Sequence, residues 1–571
     1  MVAFVRTFFA VIFAIGFLVM APVILGVLLF AFGDTGPQRD SWLTIRLSDS
    51  LLEHYPPPTV RTLFEDPPPC LAEVTENLEK ASVDDRIVGV LLRFDAFAAG
   101  TGKLDEIRAG IRRVRDAGKP VYVYATDLTE GSLYLASECD STFLFPKGRV
   151  FLLGRGATVQ HIKGTLDKLD VHDQFTAIGE YKSAVEFFSR TESSPEAAEN
   201  LRWVVEDLAA SFDSTMTENL RLEAGALTRL RERGILTPEE AHEQGLVSEI
   251  LYFDELEDRM RGAQSEWLTV SSGAYADVER KSVGLGGKPR IAVVHAQGFV
   301  MGSGEDRFDA VVGLAMGTDR VVEDLREVTD DDNVRAIILR WDTGGGESVG
   351  GDVVARAVAR ARKEKPVVVS IADVAASAGY AMSYPANTIV CPANGITGSI
   401  GMLTGKLNAR GLWEKLGVTF DDFSFAPHAF LFSDLHDFTA EQRAVIDRDL
   451  WSAYNQWVDD IARARDLTFE EVDAVGRGRV WTGRQALGHG LVDVLGGFDE
   501  ALAEARRLAD LEPDAKVTLE HYPRERSPWE VILSGDFSAT AVQGALWDLR
   551  TSLFRSARIP RRLGYEPFRS E

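Results

Sequence analysis

DDRIVGVLLRFD (84–95) and DDNVRAIILRWD (331–342) are two copies of one stretch, and their relation decides the fold. Each opens on an acidic pair, runs through a near-continuous apolar segment and closes on Arg, an aromatic residue and Asp. An apolar run without alternation is the pattern of a strand buried on both faces of a parallel sheet. Further along, GKPVYVYA (118–125) matches EKPVVVSI (364–371), LDKLDV (166–171) matches WEKLGV (413–418), and LTPEEAHEQGLV (236–247) matches WTGRQALGHGLV (481–492). The offset holds at about 245–247 positions throughout, from Arg93 and Arg340 to Gly245 and Gly490, far too long for a solenoid repeat. A duplicated domain is the implication.

Each copy begins with a short apolar strand, SWLTIRL (41–47) and RIAVVHA (290–296), and then alternates helical and β-rich segments. The spacing predicts helices over 103–117 and 349–363 between the buried strands, hence β–α–β units and an α/β fold with a largely parallel sheet in each half. The expected organisation is an anchor over 1–39, a first repeat over 40–270, a linker over 271–289, a second repeat over 290–511 and an extension over 512–571. The linker assignment rests on the glycines of SSGAYADVERKSVGLGGKPR (271–290); the extension ends in a locally basic tail.

Residues 7–33 contain no charge. As a helix they would reach roughly 40 Å, enough to cross a hydrocarbon layer of about 30 Å. Arg6 is the only basic residue on the short side, which places the N-terminus in the cytoplasm and the bulk outside by the positive-inside rule. Lipid contact through this helix is therefore expected. The remaining composition excludes other classes. With 62 basic and 87 acidic residues the net charge is −25, which disfavours nucleic-acid partners. Three dispersed cysteines and nine scattered histidines give neither a disulfide framework nor a zinc spacing, so a zinc enzyme is not expected.

The two halves diverge at single polar positions. Ser377 follows the strand PVVVSIAD (366–373) inside VAASAGYAMSYPAN, at a strand-to-helix turn among small residues. Small neighbours admit a substrate backbone, and a helix N-terminus favours developing negative charge. The first half has Gly131 at the matching position, with Ser132 one residue on as a rival. Conversely GEYKSAVEFFSR (179–190) carries Lys182 where the second half has His428 or Ala429. One half offers a hydroxyl and the other an amine. A buried lysine whose pKa falls from ~10.4 toward ~7–8 is able to act as a base, provided Glu180 and Glu186 point away from it. RWDTGGGESVGGDV (340–353) adds a glycine run after a buried strand, suited to an oxyanion hole or a docked substrate strand, with a tight turn or a phosphate loop as alternatives.

These stretches together, YKSA at Lys182, AASAGY at Ser377, ITGSIGM (396–402), GRVWTG (478–483), GLVD (490–493) and the glycine run, resemble the bacterial signal peptide peptidases of the SppA type in their long tandem form. The resemblance implies tandem crotonase-like, ClpP-related domains behind an N-terminal transmembrane helix. It also implies a bacterial inner-membrane protein with a periplasmic catalytic part, and a homotetramer that degrades apolar peptides such as cleaved signal peptides. It implies Ser377 as nucleophile and Lys182 as general base, a serine–lysine chemistry that requires no metal or organic cofactor. Gly345 and Gly346 with Ala378 or Gly379 would form the oxyanion and substrate site, and Ser399 would orient the lysine. One departure stands out. The family pattern Asn-Ser-Pro-Gly-Gly is Asp342-Thr343-Gly344-Gly345-Gly346 here, which loosens the loop and adds a charge. A non-catalytic membrane scaffold and an acyl-CoA enzyme of the crotonase type are the competing readings.

Overall fold

The computed structural model describes residues 37–55, 69–262, 266–309 and 312–524. A six-stranded parallel sheet in the first half and an eight-stranded sheet in the second carry the fold, and six strands of the second repeat the strand order of the first. In the first half the order is Thr269–Ser271, Ser41–Ser50, Ile87–Ala98, Val121–Ala125, Ser141–Leu144 and Glu249–Ile250. In the second it is Thr518–Tyr522, Arg290–Gln297, Val334–Thr343, Val367–Ala376, Thr388–Cys391 and Val494–Leu495. The strand Ile396–Gly398 extends the far end of Val367–Ala376, and Val480–Thr482 pairs antiparallel beyond it.

The central strands are buried on both faces, as their unbroken apolar sequence requires: Val90, Leu92, Ile337, Ile338 and Leu339 have no exposed surface. Helices Leu71–Val83 and Thr101–Asp116 cover the first sheet with Val74, Leu78, Ile107, Ile111 and Val114, spaced three and four apart on one face. Thr318–Asp330 and Ser348–Glu364 do the same in the second half through Val321, Leu325, Val354 and Val358. The expected helices thus lie within two residues of their expected ends.

Two differences concern the ends of the repeats. The stretch 271–289, expected to be a linker, starts inside a sheet strand and continues into helix Ser272–Ala276. Tyr275 is fully buried there, with its hydroxyl donating to Asp84 Oδ2 at 3.0 Å. Lys80 Nζ donates to the carbonyls of Tyr275, Ala276 and Val278. Those contacts make residues 271–278 part of the first half. Likewise Thr518–Tyr522, within the expected extension, is the edge strand of the second sheet beside Arg290–Gln297. Three- and five-residue strands are too short for periodicity to reveal. The uncharged run at 7–33 and the basic tail from 555 lie outside the described residues. Among the described residues no helix is long and apolar enough to cross a membrane.

The halves are stitched together by backbone as well as side chains. His172–Ile178 of the first half pairs antiparallel with Met402–Asn408 of the second over seven residues. Asn200, on the first-half helix Pro195–Asn219, exchanges two 3.0 Å hydrogen bonds with the backbone of Val480. Deeper, Arg340 of the second half reaches Glu53 and Glu106 of the first. The inter-half strand pair matters most, because the chain leaves Ile178 heading for Lys182.

Candidate active site

Ser377 stands between strand Val367–Ala376 and helix Ala378–Ser383 with φ 56° and ψ −118°. A non-glycine residue in that region costs on the order of 1–3 kcal/mol and persists where its surroundings hold it. Here Ser377 N–H donates to Gly398 O at 2.9 Å, and Ala381 N–H donates to Ser377 O at 2.9 Å. The turn projects the hydroxyl out of the sheet at a helix N-terminus, whose first amides have no intrahelical acceptor. Ala378 and Gly379 occupy those first positions.

Lys182 arrives from the other half. Its Nζ lies 2.9 Å from Ser377 Oγ, 2.9 Å from Ser399 O and 3.0 Å from Ser399 Oγ. The side chain is 7% exposed, and burial lowers its pKa to about 8. The two nearby carboxylates are engaged elsewhere, Glu180 with Arg477 at 3.6 Å and Glu186 with the amide and hydroxyl of Ser194. Nothing therefore restores the ammonium, and an amine is available near neutral pH.

Three loops fix that lysine. Tyr181 N–H donates to Arg477 O, Gly478 N–H to Ile400 O and Ser399 N–H to Arg479 O. The Arg479 guanidinium stacks 3.8 Å from the Tyr181 ring. Gly478, at φ +85°, leaves no room for a side chain: a Cβ would stand 2.3 Å from Lys182 N. Gly478→Ala is expected to displace Lys182 and lower kcat at least tenfold. Peptide cleavage beside a thermal melt checks it, and a parental kcat would show that the loop does not set the lysine.

The glycine run behaves differently at each position. Gly345, φ +109°, lies against Ser377, with a Cβ there meeting Ser377 Cβ at 2.7 Å. Its N–H donates to Thr343 Oγ1 at 3.1 Å, so this expected oxyanion donor is engaged within its own loop. Gly346 instead docks on Val300, whose carbonyl oxygen would be 2.2 Å from a Cβ. Gly379 packs on Thr343. Ser132, the rival serine, is tied into a helix cap: it accepts from Thr129 N–H at 2.7 Å and donates to Thr129 O at 3.1 Å. Lys103 is a residue that no motif marks. Its Nζ sits 2.7 Å from Asp342 Oδ2 at the root of the glycine loop. The unusual Asp342 was the signal that a counter-charge was needed.

Comparison with known proteins decides the family. Residues 113–266 and 359–512 each match Peptidase family S49. The chain belongs to peptidase family S49. It is 30% identical over 472 residues to "Serine protease SPPA, chloroplastic" of Arabidopsis thaliana, covering 81% of this chain and 69% of that protein. It is 32% identical over 479 residues to "Protease 4" of Salmonella typhi, covering 81% and 75%. "Protease 4" of Haemophilus influenzae follows at 29% over 461 residues, 78% and 74%. With such relatives this S49 chain is a serine protease, and the two family matches fall one in each half of the duplicated fold.

Proposed function

We propose that the protein is a membrane-anchored serine endopeptidase working through a Ser377–Lys182 dyad assembled within one chain. The 2.9 Å approach of a buried, carboxylate-free Lys182 amine to Ser377 Oγ carries this reading. In the neutral amine two N–H bonds satisfy the two oxygens of Ser399, and the lone pair is left for the Ser377 hydroxyl proton. Ser399 thereby orients the base. Ser377 Oγ attacks the scissile carbonyl as its proton passes to Lys182 Nζ, the ammonium returns that proton to the leaving amine, and water repeats the sequence on the acyl-enzyme. Burial makes the transient ammonium costly, so it gives up its proton readily.

For the oxyanion, the amides of Ala378 and Gly379 at the start of their helix are the leading donors. Gly345 would join them if its N–H left Thr343 as substrate binds. The uncharged run at 7–33 supports a single-pass anchor with the protease outside the cytoplasm. An anchor of that kind holds the site near the bilayer, which favours apolar, extended peptides such as cleaved signal peptides. The resemblance to the long SppA form supports a homotetramer and a crotonase-like, ClpP-related class for the two sheets. Membership of a peptidase family disfavours the acyl-CoA reading.

Full-length protein in detergent, mixed with a synthetic apolar signal-like peptide, is expected to release fragments that mass spectrometry identifies. Ser377→Ala should release none. Cleavage surviving in Ser377→Ala would move the nucleophile elsewhere, and silence from the folded parent would favour the scaffold.

A further inference from the structure

We propose that Lys103, supplied by the first half, is a positioning residue for the Ser377 site: it neutralises Asp342 and clamps the two segments that frame the nucleophile. The proposal rests on the Ser377–Lys182 reading and extends it to a second lysine.

Both segments pass through one cluster. Asp342 is the last residue but one of strand Val334–Thr343, just before the glycine run, where Gly345 lies against Ser377. Asp373 sits in strand Val367–Ala376, four residues before Ser377. Lys103 Nζ lies 2.7 Å from Asp342 Oδ2 and 3.3 Å from Asp373 Oδ2, and it donates to Leu51 O at 3.0 Å. Its backbone N–H donates to Asp373 Oδ1 at 2.9 Å. All three side chains are nearly buried, at 8%, 16% and 13% exposure, so their charges have little water to screen them.

The backbone is shaped for this contact. The ladder between the two strands is regular up to Trp341 opposite Ile371, then slips, so that Thr343 stands opposite Ala375. A bulge of this kind re-aims side chains, and Asp342 and Asp373 fall within it. The first-half helix closes on the same spot: a Cβ at Gly102 would lie 2.2 Å from Ala372 O, and one at Gly100 would lie 2.2 Å from Asp373. Glycine is required there for close approach.

The repeat sharpens the inference. At the offset of about 246 positions the counterpart of Lys103 is Val349, 64% exposed. The counterpart of Asp342 is Asp95, which pairs with Arg46 of its own half. Only the second-half aspartate is served across the interface, and it is the one beside the nucleophile. Two carboxylates facing each other without a cation would spread the bulge and set negative charge near a developing oxyanion. Lys103 also explains how the chain carries Asp342 at a position where its family resemblance implies a neutral asparagine.

The test uses full-length protein in detergent and the apolar peptide, with Ser377→Ala as the blank. Lys103→Met is expected to lower kcat about 10–100-fold with KM within about threefold. Adding Asp342→Asn to Lys103→Met is expected to return kcat to within about threefold of the parent, because the two carboxylates then no longer oppose each other and the charge beside the glycine run is gone. Recovery of that kind distinguishes charge compensation from a general packing loss, and thermal melts report the fold of each protein. A parental kcat in Lys103→Met, or a loss that Asp342→Asn does not relieve, overturns the proposal. Should Lys103→Met not fold, the double variant decides alone: folded with near-parental kcat supports the clamp, unfolded or inactive rejects it. A parent without Ser377-dependent cleavage is a separate outcome, and it overturns the underlying dyad and this proposal with it.

Discussion

Lys182→Ala is expected to lower kcat for peptide cleavage by about 10²–10⁴-fold, or roughly 3–5.5 kcal/mol of barrier. The loss follows from geometry. Ser377 has its hydroxyl 2.9 Å from Lys182 Nζ, and the other polar groups around that amine, the two oxygens of Ser399, are acceptors for its N–H bonds. Without the amine, Ser377 attacks with a proton still attached. Lys182→Arg discriminates the base from a simple cation: a guanidinium keeps its proton at any working pH and so fails as a base even where it fits. Full loss in both variants, measured as kcat beside an unchanged melting temperature, supports the assignment. Appreciable activity in Lys182→Arg would mean that the residue acts as a charge.

Arg340→Met is expected to be the most destabilising single change at the interface between the halves. The guanidinium is 1% exposed and donates to Glu53 at 2.7 and 3.0 Å, to Glu106 at 2.8 and 2.9 Å and to Ser370 at 2.8 Å. Burial opposes ionisation of both glutamates. Arg340 and His295 nevertheless hold the Glu53 carboxyl well below the usual carboxylate range, while burial pushes Glu106 up to about 7. The histidines alongside are poor substitutes for the arginine: burial keeps His295 well below its ordinary value and brings His521 down to about 4. Removing one member of such a group leaves uncompensated charge in the interior, at a cost of about 3–5 kcal/mol. For halves of this size that corresponds to a melting temperature lower by about 6–12 °C. The triple variant Arg340→Met, Glu53→Gln, Glu106→Gln should recover most of it. A melting temperature unmoved by Arg340→Met would show that the halves do not depend on this group.

The duplicated fold was legible because both copies keep the same buried strands at a nearly constant spacing. DDRIVGVLLRFD and DDNVRAIILRWD occupy equivalent strands of equivalent sheets. The pairing of Lys182 with Ser377 was legible from the same comparison, as an amine in one half set against a hydroxyl in the other. What stayed hidden depends on contacts between distant positions or on backbone detail. Lys103 meets Asp373 across a sequence separation of 270, and nothing local distinguishes it from a solvated lysine on a helix. Gly345, expected as an oxyanion donor, packs against Ser377, yet the 3.1 Å bond from its N–H to Thr343 Oγ1 depends on a turn that sequence does not specify. Segment 271–289 looks like a linker by its glycines, whereas Tyr275 and three carbonyls accepting from Lys80 anchor its first part.

The most direct test of the dyad is the pH dependence of Ser377 acylation by a fluorophosphonate, followed by intact-protein mass spectrometry on the full-length protein. Burial lowers the Lys182 pKa to about 8, and only the neutral amine is a base. The acylation rate should therefore rise with pH through a midpoint near 8 and level off above it, and that rising limb should vanish in Lys182→Ala. A profile already flat from pH 6 to pH 10, or a rising limb that survives unchanged in Lys182→Ala, would show that another group activates Ser377.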